Sequence, residues 1–170
     1  LNKSAVKNIL VTGPLAADKS YAISRYGPSH LPVTTVLDGI KNYLGNNANV
    51  TYAKGCDIID PTWPESEIIE TPLSPKEHAA IDSAVSAAKN ADIIIAAVGE
   101  DAERVGESLS RTGLNLPGRQ LKLIQALQAT GKPVVMVMIN GQPITVNWEN
   151  KYVPAILEEW FPDPKSGKVI

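Results

Sequence analysis

Twelve consecutive residues, Glu100 to Arg111, carry four carboxylates (Glu100, Asp101, Glu103, Glu107) and two guanidinium groups (Arg104, Arg111). They follow directly on Ala91 to Gly99, the most strand-like apolar run in the chain. A carboxylic acid on such a loop can protonate a leaving group and then, as a carboxylate, activate water. That is the chemistry of acetal cleavage between sugars. A retaining mechanism adds a second carboxylate about 5 to 5.5 Å away as nucleophile, delivered from a different element. The sequence offers no evident partner of that kind.

Other chemistries find less support. The two histidines, His30 and His78, and the single cysteine, Cys56, are not at metal-ligand spacing, so no metal is expected. There is no G-x-S-x-G elbow, and His78 falls on an expected helix, so a serine nucleophile has no base. Gly13-Pro14 after the first strand lacks the glycine spacing that lets a pyrophosphate approach the backbone, and no cofactor is expected. One cysteine also excludes an internal disulfide.

The elements that must position the loop read as alternating strands and helices. Lys7 to Thr12, Asn49 to Ala53, Ala91 to Gly99 and Val134 to Ile139 are short runs that suit strands, with Ala155 to Phe161 as a final one. Val33 to Leu44 has helical spacing and stops at Gly45. Ser74-Pro75-Lys76-Glu77 is a capping box with proline at the first helical position, launching a helix to about Asn90. Leu116 to Gln120 leads into another helix, stopped at Gly131. Cys56 to Pro72, with three prolines, reads as a surface excursion. This alternation predicts an α/β three-layer sandwich, a mostly parallel sheet with helices on both faces. In such sheets ligands bind beyond the carboxyl ends of the strands, which is where Glu100 to Arg111 falls.

At 170 residues, with 44% hydrophobic content, one domain spanning 1–170 is expected. A formal net charge of −2, without a basic stripe, argues against nucleic acid as a partner. The longest apolar runs fall far short of the ~20 residues that cross a bilayer, so no membrane partner is expected. The chain opens at Leu1 and closes on Lys168-Val169-Ile170 as an apolar segment begins, so it is expected to be a C-terminally truncated piece of something longer.

Several segments together resemble a known family. These are Val98-Gly99-Glu100, Gly106-Glu107-Ser108-Leu109-Ser110-Arg111, Leu116-Pro117-Gly118-Arg119-Gln120, Ile139-Asn140-Gly141-Gln142-Pro143 and Glu159-Trp160-Phe161-Pro162. In order and spacing they are similar to the C-terminal α/β sandwich domain of glycoside hydrolase family 3. Thr34 to Ile40 and Tyr52 to Asp57 resemble its earlier segments.

The resemblance implies part of a retaining, exo-acting β-glucosidase or β-xylosidase acting on a β-linked oligosaccharide or glycoside. An N-terminal barrel domain of the parent would carry the aspartate nucleophile, and this domain the acid/base. Alone it would be inactive. The family motif places the acid/base at Glu107, with Glu103 in reserve. Ser110 and Arg111 are substrate-binding candidates that could bind a sugar hydroxyl or orient Glu107, and a salt bridge within the loop is an equal reading for Arg111. Glu100 and Asp101 read as the polar exit of the strand. Asn140 and Gly141 read as a tight turn, and Trp63, Trp148 and Trp160 as packing residues rather than sugar subsites. A periplasmic or secreted parent is expected. The alternative of a different class is a non-catalytic carbohydrate-binding or scaffolding module. One departure from the family is Pro162 to Gly167, proline-rich where the family has glycines opening a further helix.

Overall fold

The computed structural model describes residues 5–23 and 30–169. The chain's opening at Leu1 and its final Ile170 lie outside the described residues. Five strands, β1 (Asn8–Thr12), β2 (Asn49–Ala53), β3 (Ile93–Gly99), β4 (Val134–Ile139) and β5 (Ala155–Glu158), form one sheet in the order β2-β1-β3-β4-β5. Every neighbouring pair is parallel. The helices are α1 (Ser20–Ile23), α2 (Val36–Leu44), α3 (Pro75–Ala88), α4 (Gln120–Gln128) and α5 (Asn147–Tyr152).

Crossover handedness assigns the helices to faces. The step from β1 to β2 runs one way along the sheet, and the later net steps run the other way. Right-handed connections therefore place α2 on one face and α3, α4 and α5 on the opposite one. The packing agrees. Leu10, Ile94, Ala96, Val98, Met136 and Met138 meet Ile81 and Ala84 of α3 and Leu123, Ile124 and Leu127 of α4. The alternate residues Ile9, Val11, Ile95, Ala97, Val137 and Ile139 meet Val36, Leu37 and Leu44 of α2, with Leu15 and Tyr21. The expected three-layer sandwich is present, and burial on both faces explains why β3 is apolar at every position. Beyond α2 its face of the sheet keeps a groove of about 690 Å³, lined by Ile40, Tyr43, Ile95, Val137 and Leu157 among others.

Local signals set several boundaries. Thr35 caps α2, accepting from the Asp38 N–H at 3.1 Å while Asp38 accepts from the Thr35 N–H at 3.3 Å. The helix thus begins three residues later than Val33, the start that apolar spacing suggests. Ser74 and Glu77 form the expected capping box of α3. β5 stops at Glu158 rather than Phe161, because Trp160 turns the backbone to a φ of 56°. The short helix α5 had no sequence signal, since six residues span less than two helical turns.

The carboxyl ends of the strands form the rim. Strand order reverses between β1 and β3, and there the backbones close together: a Cβ on Gly13 would lie 2.1 Å from the Ala97 carbonyl oxygen. The exit of β3 is held as tightly. Gly99 has a φ of 138°, and a Cβ there would lie 1.9 Å from the Ile139 carbonyl oxygen. The buried Gln120 amide satisfies both polar groups of Gly99, accepting from its N–H at 2.7 Å and donating to its carbonyl at 2.8 Å.

Candidate active site

The acidic loop leaves the rim at Glu100, whose N–H donates to the Ile139 carbonyl at 2.8 Å and so extends the β3 to β4 pairing by one step. Glu100 is fully buried and Asp101 is buried as well, which corrects their reading as a polar exit of the strand. Both are buried because both are paired. Glu100 Oε1 accepts from Arg111 Nη1 and, at 2.6 Å, from Gln142 Nε2. Asp101 is paired with Arg104, whose guanidinium also lies 5.3 Å from the centre of the Trp63 ring.

Arg111 is the junction. Its side chain is 2% exposed, and its nitrogens diverge to three acceptors. Nη1 goes to Glu100, Nε to Glu67 Oε1 at 2.7 Å and Nη2 to the Asn115 carbonyl at 2.6 Å. The planar fork of arginine suits this threefold role, which a lysine ammonium on a flexible stem does not reproduce. Of the readings open for Arg111, an ion pair is therefore the contact its guanidinium makes. Glu67, 44 residues earlier, belongs to a single 3-10 turn, Glu65–Glu67, in the proline-rich excursion. Its Oε2 accepts from the Thr112 N–H at 3.1 Å, the Thr112 hydroxyl at 2.8 Å and the Gly113 N–H at 2.9 Å, and its Oε1 from the Trp63 indole at 3.1 Å. Burial by itself would raise the Glu67 pKa. The hydrogen bonds from Thr112, Arg111, Gly113 and Trp63 outweigh it and hold the carboxyl down at about 2.

Between these anchors the loop turns outward. The Leu109 N–H donates to the Gly106 carbonyl at 3.1 Å, closing a β-turn with Glu107 and Ser108 at its centre. Ser108 has a φ of 64° and Gly106 a φ of 129°, so Glu107 sits between two residues of positive φ. For a serine this conformation costs roughly 1 to 2 kcal/mol, which the anchored stems must supply. Glu107, Ser108, Leu109 and Ser110 are all exposed. The loop also has an apolar foot: a Cβ on Gly141 would lie 2.5 Å from Val105 Cγ1 and 2.7 Å from the Phe161 ring. Gly141 thus serves a close approach as well as a turn.

The carboxylates of the loop therefore divide into two kinds. Glu100 and Asp101 are buried in ion pairs, and Glu107 and Glu103, the latter with its side chain 85% exposed, face outward. An outward carboxylate on a mounted turn can exchange protons with a molecule at the rim. Among the described residues no group of three or more His, Cys, Asp or Glu could hold a metal ion. The Leu116 to Gln120 segment is structural: Gln120 holds Gly99, and Arg119 donates to Glu77 at 2.8 Å and to the Thr71 carbonyl at 3.0 Å. Of the tryptophans, Trp148 packs against Tyr152 with ring centres 4.7 Å apart, Trp63 lies against Arg104, and Trp160 is half exposed. Glu67 and Gln142 escaped the sequence reading. Glu67 lies in a segment with no periodicity, and nothing local marks either as a partner of the loop.

Comparison with known proteins gives the class. The chain belongs to the glycosyl hydrolase family 3 C-terminal domain, which it matches over residues 1–170. It is 39% identical to a periplasmic beta-glucosidase of Salmonella typhimurium, an alignment that covers 95% of the chain and 22% of that relative. It is 35% identical to a beta-xylosidase of Formosa agariphila, covering all of the chain and again 22% of the relative. Among solved structures, a β-glucosidase from Erythrobacter marinus superposes with a TM-score of 0.82 at 29% identity, over 99% of the chain and 24% of that protein. A family 3 exo-beta-xylosidase solved in complex with a xylobiose aziridine probe gives a TM-score of 0.78 at 27% identity, over 96% of the chain and 19% of that protein. The chain thus spans about a fifth of the length of the relatives it matches.

Proposed function

We propose that this chain is the acid/base half of a retaining, exo-acting β-glycosidase, a β-glucosidase or β-xylosidase, with Glu107 as the proton donor and acceptor. One observation carries the reading: Glu107 is exposed at the centre of a turn whose two stems are tied down by buried ion pairs. In the first step Glu107 protonates the glycosidic oxygen as the aglycone leaves, and an aspartate from an N-terminal barrel domain bonds to the anomeric carbon. In the second step the Glu107 carboxylate takes a proton from water, whose oxygen displaces the aspartate. Ser110 meets a sugar hydroxyl in this reading, which its exposure three residues on supports, and Arg111 acts by holding the loop. Glu103 is the reserve acid/base. Without a nucleophile domain the chain turns over no glycoside. A periplasmic or secreted parent is part of this reading, and the name of the Salmonella relative supports the periplasmic location.

The test is Glu107→Ala in the intact parent, assayed on an aryl β-glycoside with and without azide. Loss of the general acid slows hydrolysis of poor leaving groups by about 10² to 10⁴-fold. Azide, which attacks without a general base, restores turnover and yields a glycosyl azide. Unchanged hydrolysis of a phenyl glycoside, or no azide effect on a slowed variant with a dinitrophenyl glycoside, whose first step needs no acid, sinks the assignment and makes Glu103→Ala the next variant. Saturable sugar binding by the isolated chain, with a parent unaffected at both glutamates, would favour a non-catalytic module instead.

A further inference from the structure

We propose that Glu67 is the positioning residue of the acid/base loop; this rests on the assignment of Glu107 above. Of the described hydrogen bonds that the Glu67 carboxylate accepts, all but the one from Trp63 come from the outgoing stem of the loop. Its Oε2 gathers Thr112 and Gly113, and its Oε1 gathers Arg111 and Trp63. Arg111 carries the constraint across the neck to Glu100, so one carboxylate fixes the outgoing stem directly and the incoming stem through a single guanidinium. Trp63 extends the hold, because its ring faces Arg104, which is itself paired with Asp101.

The segment carrying Glu67 is built independently of the loop. Asp60 accepts from the Thr62 N–H at 2.9 Å, the Thr62 hydroxyl at 2.6 Å and the Ser66 hydroxyl at 2.7 Å, which folds Asp60 to Glu67 into a compact turn. Gly118 presses on its start, where a Cβ would lie 2.8 Å from the Ile58 carbonyl oxygen. The excursion therefore presents a preformed carboxylate to a loop that contains an unfavourable serine conformation at its tip. Releasing Glu67 leaves the Arg111–Glu100 pair in place but frees Thr112, Gly113 and the Arg111 Nε, so the outgoing stem shifts and the turn at Glu107 and Ser108 relaxes. The acid then moves away from the glycosidic oxygen without any residue that touches substrate having changed.

The intact parent enzyme with Glu67→Ala or Glu67→Gln tests this against aryl β-glucosides or β-xylosides with two aglycones. Dinitrophenolate leaves without a proton, whereas phenol requires one. With Glu67→Ala we expect kcat/KM, which reports the first step, to fall about 10²-fold on the phenyl glycoside. On the dinitrophenyl glycoside it should stay within about threefold, because that leaving group bypasses general acid catalysis. Glu67→Gln, which keeps one acceptor oxygen, should lie between wild type and Glu67→Ala. Equal losses on both aglycones would mean a general structural role, and no loss on either would mean no role; each overturns the proposal.

If Glu67→Ala does not fold, Thr112→Val, which deletes only the 2.8 Å hydroxyl contact at an exposed position, carries the test. It should show the same split at about threefold or more, and its absence counts against the proposal. Glu107→Ala on the same pair of substrates separates the two readings. If it shows no aglycone split, the acid/base assignment fails and the Glu67 proposal falls with it. If it shows the split and the Glu67 variants do not, only the Glu67 proposal fails.

Discussion

Arg111 and Glu100, 11 residues apart, form a buried ion pair that closes the neck of the acidic loop. The pair joins the exit of β3 to the far stem of the loop. Gln142, arriving from the end of β4, donates to the same Glu100 oxygen at 2.6 Å. The loop is thus fastened to the sheet at a point where two strands end.

Arg111→Met should destabilise the chain by about 3 to 5 kcal/mol, because it leaves both Glu67 and Glu100 buried without their cation. Arg111→Lys keeps the charge but cannot reach three acceptors in one plane, so it should recover less than half of that loss. Urea titrations of the three proteins give the comparison. A midpoint unchanged in Arg111→Met would show that the neck contributes nothing to stability.

Glu67 should make stability depend on pH in the acid range. Its carboxyl is held at about 2 in the folded chain against an ordinary 4.5, so the folded state binds fewer protons than the unfolded state between those values. Its contribution is complete above pH 4.5 and is lost as the pH falls toward 2. The stability difference between wild type and Glu67→Gln should therefore shrink steadily from pH 5 to pH 2. Parallel pH profiles for the two proteins would contradict this.

Gln120→Leu should cost about 1 to 3 kcal/mol, since Gly99 loses the partner of both its N–H and its carbonyl at a buried position. Gln120→Glu should not restore stability: the carboxylate cannot donate to the Gly99 carbonyl, 2.8 Å from the present amide nitrogen. Chemical denaturation of both variants distinguishes this account from one in which Gln120 merely fills space.

Cys56 should resist alkylation while the chain is folded. Burial pushes its thiol up to about 12, so the thiolate is scarce at pH 8 and is also covered. Iodoacetamide at pH 8 should leave the folded chain unmodified over a time in which the urea-unfolded chain reacts fully, as read by intact mass. Rapid labelling of the folded chain would show that the region after β2 opens readily.

The strands, the start of α3 and the place of the acidic loop were all legible in the residues. Ala91 to Gly99 is apolar throughout because both faces of β3 are covered, and Ser74 to Glu77 carries its own hydrogen-bonding partners within one turn. Such signals are local: a capping box spans four residues, and a buried strand announces itself by lacking polar side chains. Alternation also gave the parallel pairing, but the order β2-β1-β3-β4-β5 came from the structure, and only with that order does crossover handedness assign α2 to one face and α3 and α4 to the other.

The division of labour among the loop's charges was not legible. By composition Glu100, Asp101, Glu103 and Glu107 are equivalent, and the resemblance to a family was needed to single out Glu107. What separates them is which carboxylates meet a cation away from water, and that depends on Glu67, whose contact with Arg111 joins residues 44 apart in the chain. Residue type and spacing determined that a carboxylate loop would stand at the carboxyl end of a buried strand. Only the tertiary structure decided which carboxylates would be buried as anchors and which left exposed, because burial of a charge is decided by the partners that folding brings to it.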